Sequence, residues 1–231
     1  MLNPISGLRQ ALALKKAAAW GTAVACGAGD GVSFISGQAK RDATVQIDES
    51  RGGSGFSKDG TAGPINADGS SYTFNLRYVG LDVLIACSMA TAGAPTQHAA
   101  TAAYANTYAF NTDIYGIFGT LAKSMVNYIE EIPSAKVAGI TVSGEVGAKP
   151  LTITVDLIGI DRETASVTNT TATFANVTLP SGADGNPVMF SHLAFRMNDA
   201  DGDALDAGDV IYPSKFSLSL KRKLAGDYTG E

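Results

Sequence analysis

Residues 135–161 read AKVAGITVSGEVGAKPLTITVDLIGID, and two short runs of alternating character lie within them. In the first, Ala138, Ile140 and Val142 oppose Val137, Gly139, Thr141 and Ser143. In the second, Leu151, Ile153, Val155 and Leu157 oppose Thr152, Thr154 and Asp156. Alternate residues of an extended chain point to opposite sides, so each run is a strand with one apolar and one polar face. The intervening GEVGAKP supplies the Gly and Pro of a turn, which makes the stretch a β-hairpin.

The same period appears elsewhere. KFSLSLKRKL (215–224) sets Phe216, Leu218 and Leu220 against Ser217, Ser219 and Lys221, and SYTFNLRYVG (71–80) sets Tyr72, Phe74, Leu76 and Tyr78 against Thr73, Asn75 and Arg77. TVQIDES (44–50) places Val45 and Ile47 opposite Thr44, Gln46 and Asp48. The apolar patches Tyr108 to Phe118 and Met125 to Ile132 are further strand candidates. With only 17% charged residues and abundant Gly, Ala, Thr and Ser, the composition favours short strands and turns, so the fold class is mainly β.

Two segments have helical character. GLDVLIACSMA places Leu81, Leu84, Ile85 and Met89 on one helical face, and residues 7–19 (GLRQALALKKAAA) are good helix formers that Trp20-Gly21 and CGAGDG terminate. The latter stretch predicts an N-terminal arm over 1–30, followed by a β domain over 31–231. Residues 51–69 lack periodicity and read as a long projecting loop or loose hairpin, and 91–107 as an Ala/Thr-rich connection.

Tyr72–Asp82 aligns without gaps on Leu151–Asp161, keeping Thr, Gly and Asp and every apolar position. Alternation alone reproduces much of this, but the shared Gly-apolar-Asp ending raises an internal duplication, about 31–120 and 121–231.

Chemistry-bearing motifs are sparse. The sequence has no nucleophile elbow, phosphate loop or HExxH helix, and His98 and His192 lack the partners a general base requires. No catalytic residue, cofactor or resident metal is expected. The one oxygen-rich cluster, Asn198 to Asp209, offers Asp199, Asp201 and Asp203 as weak calcium candidates. Counting from Asp199, the glycine and carboxylate of a calcium loop fall on Ala204 and Val210, and an acidic turn explains the same residues. Cys26 and Cys87 suit neither a disulfide framework nor a zinc knuckle. No apolar run reaches the roughly 20 residues of a membrane helix. Lys15, Lys16 and the stretch before Cys26 imitate a lipoprotein signal only loosely. The excess of 22 acidic over 17 basic residues argues against a protein that grips DNA phosphates.

Four segments in order, LRQALALKKAAAWGTAVACGAGDGV, KRDATVQIDESRGGSGF, YVGLDVLIACSMATAGAPTQ and IPSAKVAGITVSGEVGAKPLTITVDLIG, resemble the tail tube proteins of siphophages over most of the chain. The resemblance implies a non-enzymatic virion protein with a β-sandwich or barrel flanked by a helix, its sheets joining those of neighbouring copies into one barrel. Rings of three duplicated chains or six single ones then stack into a tube, and the internal repeat favours three. The implied partners are further copies, the tape measure protein and phage DNA in the lumen, and tail terminator and distal tail proteins at the ends. No membrane is involved; the protein is made in the host cytoplasm and resides in the virion tail. Polar strand faces then supply lumen-lining candidates: Thr44, Gln46, Asp48, Thr73, Asn75, Arg77, Thr152, Thr154 and Asp156. Loop 51–69 and arm 1–30 are candidates for contact between rings. The competing readings are a surface adhesin or pilin-like module and a calcium-using β-sandwich enzyme or carbohydrate-binding module.

Overall fold

The computed structural model describes residues 10–47, 60–91, 94–100, 104–112, 116–147, 149–181, 185–198 and 204–224. Its strands are β1 (Ala11–Lys16), β2 (Gly31–Val32), β3 (Phe34–Gln38), β4 (Asp42–Ile47), β5 (Gly60–Asn66), β6 (Ser70–Asn75), β7 (Ala94–Gln97) and β8 (Tyr104–Thr107), followed by β9 (Gly119–Ser124), β10 (Ile129–Glu145), β11 (Thr152–Gly159), β12 (Phe195–Arg196), β13 (Val210–Ile211) and β14 (Lys215–Lys221). Two helices, α1 (Asp82–Met89) and α2 (Thr171–Phe174), complete a mainly β fold.

Eight strands form one antiparallel sheet in the order β2-β1-β9-β10-β11-β6-β3, with β14 paired to β10 off this path. β10 is 17 residues long and joins two regions. Its first half pairs with β9, and its second half lies between β14 and β11. The sheet curls: Lys123 on β9 reaches across to donate to the Gly37 carbonyl on β3 at 3.1 Å, with its ammonium 5.4 Å from the centre of the Phe34 ring. Inside the curl lies the principal core, including Leu12, Leu14, Tyr72, Phe74, Leu121, Ile132, Ile140, Ile153, Val155 and Leu157. Burying each such side chain is worth about 1.5–3 kcal/mol relative to exposure, so this core supplies the main folding force.

The hairpin at 135–161 is the pairing of β10 with β11, and Ile140, Val142, Ile153 and Val155 share its apolar face. The register shifts between Val137 and Gly139. The extra residue, Ala138, lets Val137 join Ile140 on the core side despite their odd spacing, as a β-bulge does.

Three readings of the sequence need correction. The stretch 7–19 predicts a helix, but residues 11–16 are strand β1, paired along its whole length with β9. Leu12, Ala13 and Leu14 are buried in succession, and a strand covered on both faces outweighs the modest helix propensity of Ala and Leu. Second, Tyr108 to Phe118 and Met125 to Ile132 flank the strand β9 and only the latter's end enters β10. GTLAKS is buried from Gly119 to Lys123 and therefore shows no alternation. Third, 91–107 contains the exposed hairpin β7–β8.

Helix α1 forms where expected, and it packs on β10 and β1. Its buried side is Leu81, Leu84, Cys87 and Ser88, rotated from the Ile85 and Met89 side. Within the predicted loop, residues 60–66 pair with β4 as a hairpin arm. Residues 48–59 lie outside the described residues. Among those described, no helix is long and apolar enough to cross a membrane.

Candidate functional site

The second half of β10, with β11 and β6, carries its apolar side chains into the principal core, and together with β3 and β14 at the sides it leaves its other face open among the described residues. The antiparallel register turns that open side into rows. Ser36, Thr73, Thr154, Thr141 and Ser219 stand in one line across five strands. Gln38, Ser71, Asp156, Gly139 and Lys221 form the next, and Asn75, Thr152, Ser143 and Ser217 a third. Glu145 and Lys215 pair at the end of β14.

These rows are hydrogen-bonded side to side. The hydroxyls of Thr73 and Thr154 are 3.3 Å apart, those of Thr141 and Ser219 3.0 Å, and those of Ser143 and Thr152 3.0 Å. Ser71 donates to the Asp156 carboxylate at 3.0 Å. Cross-strand Thr and Ser pairs of this kind stabilise a sheet modestly while leaving lone pairs and protons for water. Charge on this face is balanced in sign, with Asp156 and Glu145 against Lys221 and Lys215. A hydroxyl-rich surface without net positive charge cannot hold a polyanion tightly, because phosphate binding depends on Lys and Arg clusters.

Of the nine lumen-lining candidates, five are brought together here: Thr73, Asn75, Thr152, Thr154 and Asp156. Arg77 is not in a strand; it forms an isolated bridge with Pro187 beyond β6, and its Nε is buried without a hydrogen-bond partner. Thr44 and Gln46 lie on β4, in the separate two-stranded sheet with β5. Asp48 lies outside the described residues. Ser71, Thr141, Ser143, Ser217, Ser219 and Lys221 belong to the same face, outside the nine. Thr141 and Ser143 adjoin Thr154 and Thr152 through the β10–β11 hairpin, and Ser71 adjoins Asp156 on β6, whereas Ser217, Ser219 and Lys221 join the face only through the pairing of β14 with β10.

The two repeat segments are β6 and β11, adjacent antiparallel strands of one sheet with Thr73 directly opposite Thr154. Their shared endings diverge. Gly80, at φ 86°, turns the first into α1, where Asp82 accepts from Asn106 and Tyr108. Asp161 in the second instead accepts from the Arg41 Nε at 2.9 Å, and no helix follows it directly.

Other candidates for chemistry are dispersed. Asp199, Asp201 and Asp203 lie outside the described residues, and among those described no three His, Cys, Asp or Glu converge as a metal site. Nearby, Asp206 accepts from the Gly208 amide at 2.6 Å and Asp209 from the Asp206 amide at 2.8 Å, as in an acidic turn. His98 and His192 are exposed. Cys26 and Cys87 are buried free thiols, each pushed up to about 12 by burial, which makes them inert at neutral pH.

Two strand edges flank the polar face. Among the described residues β3 pairs only with β6, and β14 only with β10. Both display apolar side chains to solvent: Ile35 is 53% exposed and Leu218 62%. Leu218 stands opposite Val142, on the core side, where none of the described residues covers it. Residues 7–231 match the family model described as phage tail tube protein. No curated protein matches the chain.

Proposed function

The chain belongs to the phage tail tube protein family, a structural component of the virion tail that self-assembles into the tube, and we propose that its open hydroxyl face lines the bore of a ring through which phage DNA passes. The observation that carries this reading is the one-faced sheet flanked by two strands, β3 and β14, whose outer edges have no partner among the described residues. Open edges bearing Ile35 and Leu218 invite pairing with another copy, and head-to-tail pairing of β14 with a neighbour's β3 closes a ring if the rotation is right. Such closure covers Leu218 and carries the rows of Thr and Ser around the bore.

Ring size follows from strand number. Each chain offers four or five strands to this face. Three chains would close a barrel narrower than porins, which have about 16–18 strands, whereas six give roughly 24–30 and a bore wide enough for a duplex. The placement of both repeat segments in one sheet over one principal core supports six single-fold chains over three duplicated ones. Within the bore, balanced charge and hydroxyls keep water between wall and phosphates, so DNA and the tape measure protein before it slide without being held. Hairpin β4–β5 contacts the next ring, and tail terminator and distal tail proteins cap the stack of a long, siphovirus-type tail. The alternative of a surface adhesin or pilin-like module is not favoured by the family match.

Negative-stain electron microscopy of the purified protein tests this, with Leu218→Glu as the comparison. The wild type is expected to give hollow rings or tubes with sixfold end-on averages. Leu218→Glu is expected to keep its circular dichroism spectrum and thermal midpoint but remain monomeric. Rings of unchanged yield from Leu218→Glu would remove the β14 edge from the assembly, and wild-type monomers at high concentration would remove the ring.

A further inference from the structure

The other half of the sheet, where β1, β9 and the start of β10 run together, is covered on the side away from the principal core by two crossing segments. Residues 20–27 are held by Gly21 N–H donating to the Ser134 hydroxyl and Val24 N–H donating to the Thr120 hydroxyl, both at 2.9 Å. Residues 163–177 begin with Glu163, whose backbone exchanges hydrogen bonds with that of Glu131 at 2.8 and 2.7 Å, and continue through α2, which Thr170 caps. Beneath them lies a small second core of Ala13, Cys26, Ala122, Ile129 and Phe174. Its alanines leave room for a polar knot.

That knot is Glu131 with Asn169. Glu131 stands in line with Ala122 and Ala13 across the strands and is 1% exposed; Asn169 is fully buried. Asn169 accepts from the Cys26 amide at 2.8 Å, donates to the Val24 carbonyl at 3.1 Å, and donates to one Glu131 oxygen. One side chain thus fastens both covering segments to each other and to β10. The second Glu131 oxygen, Oε1, is buried without a hydrogen-bond partner.

We propose that Glu131 is a proton-controlled clasp: as a neutral acid it holds the cover of residues 20–27 and 163–177 on the sheet through Asn169, and on losing its proton it releases both segments together. The charged form is disfavoured by what surrounds it. An ionised carboxylate with one oxygen unsolvated and no cation beside it carries a desolvation cost that the neutral acid avoids. From segment 163–177 the facing titratable group is Glu163, of like charge; from segment 20–27 it is the Cys26 thiol. Lys15, whose ammonium acts on Cys26, is already engaged with Asp30 at 3.2 Å and with the Ala25 carbonyl. Strands β1 and β9 present Ala13 and Ala122. Burial accordingly pushes the Glu131 carboxyl above the usual glutamate range; the Asn169 hydrogen bond and the nearby Ser166 hydroxyl oppose this, and Glu163 adds to it.

The sign follows from linkage. Because the closed state binds the proton more tightly than the open one, closure is strongest below the open-state value of about 4.3. It weakens as pH rises toward the closed-state value, by up to about tenfold in the opening constant per pH unit for one proton. The weakening stops above that value.

Hydrogen-exchange mass spectrometry of the full-length protein at several pH values, corrected for intrinsic exchange, reads this directly. Peptides covering 20–27 and 163–177 are expected to lose protection together as pH rises, while those of β11 and β6 do not, and Glu131→Gln is expected to remove the step. A step that persists in Glu131→Gln, or segments that open separately, would overturn the proposal. Infrared spectroscopy of the wild type gives a second reading that needs no variant: a protonated-acid carbonyl band should persist above the normal glutamate titration range, and its absence would also overturn it.

Discussion

The two halves of β10 belong to one continuous strand and face different surroundings. From Ile129 to Ala135 every residue is buried, Glu130 and Glu131 included, because the curled sheet covers one side and residues 20–27 and 163–177 the other. From Gly139 to Glu145 the core-facing Ile140 and Val142 alternate with Thr141 and Ser143, which look out on the open face. A strand's side-chain pattern therefore reports how many of its faces are covered, and where along β10 that number changes from two to one is where the open hydroxyl face begins.

The sharpest way to break this contrast is to cut one side chain from each half. Ile132→Ala removes a fully buried side chain from the doubly covered half and is expected to cost about 2–5 kcal/mol, whereas Thr141→Ala, nine positions on, should cost no more than about 1 kcal/mol. Urea unfolding of the disassembled protein reads both as midpoint shifts at unchanged slope. Comparable losses would mean that the open face is packed against something within the chain.

A smaller effect, of opposite sign in the two halves, is expected from adding a methyl group. Gly159 lies opposite Ala135, and a Cβ there would sit 2.5 Å from Ile132 Cγ2 and 3.2 Å from the Ser134 carbonyl oxygen. Gly159→Ala should therefore destabilise by about 1–3 kcal/mol through overpacking. Gly139 opens onto the polar face, where a Cβ meets Asp156 Oδ2 at 3.4 Å and Lys221 Cγ at 3.5 Å, ordinary contacts. Restricting the unfolded chain then dominates, and Gly139→Ala should be neutral or stabilising by up to about 1 kcal/mol. Thermal unfolding of the two variants side by side decides it.

The same contrast explains what could be read in the sequence. Singly covered strands announce themselves: β11, β6 and β14 alternate, and their polar positions include five of the nine lumen-lining candidates. Doubly covered strands do not. β1 (ALALKK) and β9 (GTLAKS) have no period to display, so β1 reads as helix on propensity alone and β9 falls between two more apolar patches. The polar knot of Glu131 and Asn169 was equally hidden, since a Glu-Glu pair in sequence says nothing of burial and its partner lies 38 residues away. Ser217, Ser219 and Lys221 reach the open face only through the register between β14 and β10, which joins positions 78 residues apart at Thr141 and Ser219. Arg77 falls beyond β6 because the alternation of 71–80 outlasts the strand, which ends at Asn75.

The smallest expected effect is also the most specific. Thr154 sits at the centre of the longest hydroxyl row, half-buried, with its hydroxyl 3.3 Å from that of Thr73. Thr154→Val keeps the shape and the β-branched preference for strands while deleting that hydrogen bond. On an open face water replaces the lost partner, so the net change in folding stability should lie within about 0.5 kcal/mol; in a sealed interior the orphaned Thr73 hydroxyl would cost about 1–3 kcal/mol. Measured on disassembled protein and again on tubes, the substitution separates two reasons for keeping hydroxyls on this face. Near-neutral stability in both states means the row is maintained for what passes over it, because neither folding nor ring closure needs it. A loss of more than about 1 kcal/mol that appears only in tubes would instead place Thr154 against a neighbouring chain, and move the bore away from this face.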